Sequence, residues 1–537
     1  MFSISPFFSA NKRQEAWARL VELGKKSSGG WDMLVVGGGI TGAGVLREAR
    51  RRGLSVALLE QKDFAWGTSS RSSKMIHGGL RYLLSGDLGL VRASVRERDH
   101  LLTQAPGLIE PLGYLFAHYR GRFPGRHLFG GLLCLYDLFS GARNHRYYPA
   151  PESLFLAPNI DQRDLRGGTH YTDAVVDDAR LVLRIIQEAS LEGALALNYV
   201  RVEDLLRIEN RVAGVSVKDE ITKEEADIFA RVVVNATGVW ADQLQSMKYT
   251  GHSIRPLRGS HLVLPFWKLP VSQAITLRHP SDKRPVFVFP WEGATIVGTT
   301  DLDHRESLDV EPRISSEEIE YLMDIVRHRF PSIHLEKEDI LSTYAGVRPV
   351  IGGGKEKPSK EKRRHSIWEQ DGMVSVSGGK LTTFRLMALD VLRAAAPFLS
   401  HVDVKDTGAP VFPRNGLGTR LPVPLLHSLR RRLEGRYGSC AEHVLEFAAD
   451  GDLERIPGTD TLWAEVRWAA RNEAVMHLED LLLRRTRLGI LLERGGAGLL
   501  EKVRNICRDE LKWSPEQWET EVSSYRSLWD TCYSAGQ

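Results

Sequence analysis

The sequence predicts an α/β domain built on a βαβ unit, joined to an antiparallel-sheet region and followed by an all-α C-terminal part. Three observations predict it. An apolar strand at Leu34–Val36 runs into a glycine turn. Strand and hairpin signals fill residues 255–350. Beyond about residue 405 the strand signals vanish and helical spacing takes over.

In chain order, residues 1–30 read as an N-terminal extension outside the fold, with Glu15–Leu23 helical. Met1–Ala10 is apolar, but Lys12 and Arg13 come after it, an order wrong for a secretory signal. After the first strand, Gly37, Gly39 and Gly42 match G-x-G-x-x-G, and Ala43–Arg52 reads as the helix whose first amides face a phosphate. The three glycines allow a tight turn, close approach of a pyrophosphate and close helix–strand contact. A second strand, Ser55–Glu60, ends in an acid suited to a ribose hydroxyl, which completes a Rossmann-like dinucleotide site. FAD and NAD fit this unit equally well.

Asp178–Glu192 carries apolar residues at helical spacing. Strands are expected at 194–200, 212–217 and 232–235, the last entering a turn at Gly238. Val286–Pro290 and Ala294–Thr300 flank Trp291-Glu-Gly and predict an antiparallel pair. The charged run Lys355–Arg364 reads as an exposed loop. Val374–Val376 returns to a strand, and Gly378-Gly379 opens a helix over Thr382–Ala396. Leu425–Arg436, Thr461–Glu473 and Leu478–Leu492 read as helices.

Composition excludes several classes. A chain of 537 residues has ample core for two or three domains. A net charge of +4 is small for this length and does not point to nucleic acid. Cys134, Cys440, Cys507 and Cys532 are scattered, form no metal-ligand spacing and fit a reducing compartment; no metal is expected. No segment approaches the ~20 apolar residues of a membrane span.

Seven segments in order then carry a family resemblance: Gly37–Gly44, Thr68–Tyr82, Asn235–Trp240, Gly259–Val263, Gly298–Asp301, Tyr344–Pro349 and Gly378–Arg385. Together, over roughly residues 31–535, the chain resembles the FAD-dependent glycerol-3-phosphate dehydrogenases, relatives of the D-amino-acid-oxidase type of flavoprotein. The resemblance implies an FAD-binding Rossmann-like part (about 31–80, 160–250 and 340–400), an antiparallel-sheet substrate domain mainly over 251–339, and a helical domain over 401–537. It implies cofactor contacts at Gly37, Gly39, Gly42, Glu60, Thr68, Ser69, Ser70, Ser73, His77, Gly238, Gly379, Lys380, Leu381 and Thr382. Arg81, Tyr82, Arg348, Arg363, Lys380 and Thr382 are the expected substrate contacts, and Arg364 competes with Arg363 for its place.

A phosphomonoester carries a charge of about −1.5 to −2, and arginine pairs two of its oxygens at once. Oxidation of its secondary alcohol needs a base for the hydroxyl proton or a cation that stabilises the alkoxide. His261 is favoured, with Arg348 steadying the developing oxyanion, and His77 is the alternative. The resemblance further implies a membrane quinone as acceptor, with monotopic binding to the inner face of the cytoplasmic membrane, and leaves a homodimer open. Residues 117–148 fit a membrane contact: Arg120, Arg122, Arg126, Arg143 and Arg146 flank the apolar stretch Leu128–Phe139, with Asp137 the one acid. A core helix with solvated ends is the plainer reading of the same stretch. Within the family, an oxidase that reduces oxygen to hydrogen peroxide is the rival reading.

Overall fold

The computed structural model describes residues 10–83, 86–244, 254–352, 365–399, 402–413 and 426–536. Strand β1 (Trp31–Val36) is apolar on both faces and takes a central place in a sheet. It pairs in parallel with β2 (Val56–Glu60) on one side and with Glu225–Asn235 on the other. Leu195–Asn198 and Met373–Ser377 extend this parallel core, and Ser366–Gln370 closes one edge antiparallel. Burial on both faces is what continuous Val/Leu runs require of a parallel sheet.

Helix α2 (Ile40–Arg51), Asp178–Leu191 and Phe384–Ala395 cover one face. The opposite face carries helix α1 (Ala10–Leu23), whose Ala16, Trp17 and Leu20 pack on Trp31, Leu34 and Leu59. Arg13 pairs with buried Asp219. The expected extension outside the fold is therefore corrected from residue 10 onward: this helix is part of the core.

The second sheet is mainly antiparallel. Ile254–Pro265 pairs with Ala294–Gly298 and, over ten residues, with Ser342–Ile351. The expected hairpin forms between Pro285–Trp291 and Ala294–Gly298 around Glu292 and Gly293, both at positive φ. Ile109–Tyr119 and Leu165–Val176 also belong to this sheet, so it reaches well outside 251–339 and interleaves with the first in sequence.

The C-terminal part is helical, as expected, from His427–Tyr437 onward. It packs on the second sheet: Trp463, Val466 and Leu481 share a core with Phe289, Trp291 and Tyr344. The single helix expected over Leu478–Leu492 is instead a π-helical stretch, Asp480–Arg485, then Arg487 at positive φ and a short helix Leu488–Leu491. In this irregular stretch Arg484, Arg485 and Arg487 all turn inward to buried acids. The expected loop at 355–364 lies outside the described residues.

Candidate active site

A cavity of about 580 Å³ lies between the two sheets. Its first wall is the end of β1. Gly39 caps α2 without a side-chain bond, so Gly39, Ile40 and Thr41 bring the helix N-terminus to the cavity. A Cβ on Gly42 would stand 1.9 Å from the Gly37 carbonyl oxygen, so Gly42 shapes the turn from behind. Glu60, at the end of β2, accepts from the Gly38 N–H at 2.6 Å and the Lys62 N–H at 2.9 Å. Desolvation raises its carboxyl pKa, while those amides oppose the rise. Ser69 Oγ accepts from the Ile40 N–H at 2.9 Å, tying the hydroxyl-rich turn Thr68–Ser70 to α2.

The second wall carries cations. Arg348, on Ser342–Ile351, donates from Nη1 to Asp301 at 3.3 Å and from Nη2 to Thr299 at 3.2 Å. Lys380 sits with Nζ 3.4 Å from Ser94 Oγ and 3.8 Å from the centre of the Tyr82 ring. His77, Tyr82, Lys380 and Thr382 line the same cavity, and Thr382 Oγ1 donates to the His77 carbonyl at 3.3 Å.

Of the expected residues, Gly37, Gly39, Glu60, Thr68, Ser69, Ser73, His77, Tyr82, Gly238, Arg348, Gly379, Lys380, Leu381 and Thr382 line this cavity. Ser70 is buried behind it, its carbonyl accepting from Lys74 Nζ at 2.6 Å. The side chain of Arg81, and Arg363 with Arg364, lie outside the described residues. His261, expected as the base, is placed off the cavity wall. It is fully buried, it does not line the cavity, and it stacks on Tyr344 at 4.6 Å. Its Nε2 meets Ser73 Oγ at 2.8 Å, and Ser73 lines the cavity. Burial, with Arg348 and Lys74 nearby, holds its pKa well below the usual histidine value, and the ring is neutral.

Arg71, Arg201 and Trp240 also line the cavity, and sequence reasoning missed them. Arg71 lies inside the quoted Thr68–Tyr82 segment, one residue beyond its hydroxyl run, and Trp240 closes the Asn235–Trp240 segment. Arg71 and Trp240 each leave a buried nitrogen, Arg71 Nε and Trp240 Nε1, without a protein partner among the described residues. Buried donors of this kind at a cavity wall need an acceptor. With the glycine turn and Glu60, they fit a large polar cofactor such as FAD.

The chain matches the family described as FAD dependent oxidoreductase over residues 32–385. Residues 422–518 match the C-terminal domain of alpha-glycerophosphate oxidase. It is 36% identical to glycerol-3-phosphate dehydrogenase 2 of Mycobacterium tuberculosis, covering 96% of this chain and 89% of that one. It is 32% identical to the aerobic glycerol-3-phosphate dehydrogenase of Staphylococcus aureus, over 91% and 92%. Among solved structures, the glycerol-3-phosphate dehydrogenase from Bacillus halodurans complexed with FAD superposes with a TM-score of 0.76 at 29% identity, over 97% and 98% of the chains.

Proposed function

Because the chain belongs to the FAD-dependent oxidoreductases, with glycerol-3-phosphate dehydrogenases as its relatives, we propose that it oxidises sn-glycerol 3-phosphate to dihydroxyacetone phosphate and passes the electrons to a membrane quinone. The observation that carries the substrate is the pair Arg348 and Lys380 on the cavity that also holds the glycine turn. Two cations suit a phosphomonoester, and Arg348 is already oriented by Asp301 and Thr299.

FAD is the cofactor, and when bound it supplies the two-electron acceptor for the substrate hydride. The chain's own residues do the rest. Gly37 and Gly39 admit the pyrophosphate, and Glu60 accepts from a ribose hydroxyl. Arg348 and Lys380 bind the phosphate and stabilise negative charge as the hydroxyl loses its proton. The imidazole of His77, which lines the cavity, takes that proton. Neutral His261 holds the Ser73 hydroxyl in place from behind.

Docking to the bilayer is proposed through helix Arg126–Ser140 and its flanks. Leu128 and Leu138 are 47% and 74% exposed, and Phe123 and Phe155, which flank the helix in the sequence, are 63% and 86% exposed. Together with the arginines of 120–146 they suit an anionic surface. No described helix is long and apolar enough to cross a membrane.

The test is anaerobic mixing with glycerol 3-phosphate, followed by reoxidation. Bleaching of the flavin absorbance and faster reoxidation by quinone than by oxygen is the expected result. Failure to bleach overturns the substrate. Rapid peroxide formation in oxygen, with slow quinone reduction, makes the protein an oxidase instead.

A further inference from the structure

Arg71 joins the cofactor cavity to the far end of the chain. It directly follows the Thr68–Ser70 turn, is buried, and lines the cavity. Its guanidinium lies 4.9 Å from the centre of the Trp66 ring, and Nη1 donates to the Trp66 carbonyl. Nη2 donates to Glu311 and, at 3.4 Å, to the Tyr533 hydroxyl. That hydroxyl donates to the same Glu311 oxygen, so Arg71, Glu311 and Tyr533 close a buried triangle. Nε is left without a protein partner among the described residues.

Tyr533 follows the last helix, Pro515–Cys532, and is fixed by its backbone as well. Its carbonyl accepts from the Thr343 N–H at 2.7 Å, on the strand that carries Arg348. The strand and the Arg71 segment are also in close packing: a Cβ on Gly346 would stand 2.7 Å from the Arg71 carbonyl oxygen. One C-terminal residue thus touches Arg71, which lines the cavity, and the strand that carries Arg348.

We propose that Tyr533 is a positioning residue for the cofactor: with Glu311 it fixes Arg71 so that Nε donates to an acceptor atom of bound FAD. The helical C-terminal domain then contributes to cofactor retention without lining the cavity.

Release of FAD from the full-length holoenzyme after dilution, followed by the rise in flavin fluorescence, tests the proposal without any substrate. Tyr533→Phe keeps the ring and its packing and removes only the hydroxyl. It is expected to speed FAD release at least about fivefold, the loss of one directed hydrogen bond, and to shift the flavin absorption bands. In an Arg71→Gln background the same substitution is expected to add nothing, because the tyrosine acts through Arg71. Release within twofold of the parent overturns the proposal, and so does an equal acceleration in both backgrounds, which would make the tyrosine a general packing residue. Glu311→Gln is the second probe of the triangle. It is expected to speed release in the same way, and unchanged release overturns the proposal even if Tyr533→Phe fails to fold.

Discussion

Arg348 combines reach with restraint. Its two bonds to Asp301 and Thr299 fix the plane of the guanidinium while the side chain stays on the cavity wall. Arg348→Ala is expected to raise the KM for glycerol 3-phosphate and to slow flavin reduction, with kcat/KM falling tenfold or more. Charge-assisted contacts of this kind contribute about 1.5–3 kcal/mol each. Stopped-flow reduction under anaerobic conditions reads both effects. Unphosphorylated glycerol should be a very poor substrate for the parent protein, and comparable kcat/KM for glycerol would sink the phosphate clamp. Arg348 lines the cavity and His261 does not, and strand geometry explains the difference. His261 pairs with Tyr344 and Leu257 with Arg348, so both candidates sit at equivalent parity on neighbouring strands. Their backbone positions are four residues of strand, ~13 Å, apart, and Arg348 reaches the cavity while His261 stays fully buried. Spacing in one sequence gives parity, not depth.

At the scale of elements, the βαβ unit was legible because its constraints are local. Gly42 has no room for a side chain, and the turn, the helix start and Glu60 lie within one short stretch. Gly39→Val is expected to abolish FAD retention, read as loss of bound flavin on gel filtration, because a side chain there meets Ser69 and enters the cofactor's space. Helix Arg126–Ser140 was legible in composition only. Phe129, Leu133 and Tyr136 are buried while Leu128 and Leu138 are exposed, so the helix is both core and surface. Replacing Arg122 and Arg126 with Glu should weaken binding to anionic vesicles, most clearly at low salt, where screening is least. Anaerobic flavin reduction should be unchanged, because docking and chemistry use different surfaces. Equal vesicle binding by parent and variant would remove this helix from the docking surface. The stretch 478–492 was misread for a different reason. Its leucines carry helical spacing, but its arginines are held by acids distant in sequence, which no local pattern announces.

Those distant acids hold the whole molecule together. Asp63, beyond β2 in the cofactor-binding part, accepts from Arg484 at 2.6 Å and from Arg485 at 2.6 and 2.7 Å, all three buried. Asp177 does the same for Arg436 and Arg487, and Glu473 for Arg180. The C-terminal domain is therefore joined to the cofactor-binding part by buried charge pairs. Asp63→Ala takes the carboxylate away from buried Arg485, while Arg484 keeps Asp480 and Glu479, and a loss of about 3–5 kcal/mol is expected. Thermal unfolding followed by tryptophan fluorescence measures it. The pH dependence carries a sign of its own. The two arginines depress the Asp63 carboxyl to about 2, against 3.8 unperturbed, although burial alone would raise it. A depressed acid stabilises the fold fully above its unfolded value, and that contribution is lost as pH falls through the folded one. The parent protein should therefore lose stability between pH 4 and about 2 by a component that Asp63→Ala lacks. Parallel acid-unfolding curves for parent and variant would show that this junction does not couple the two parts.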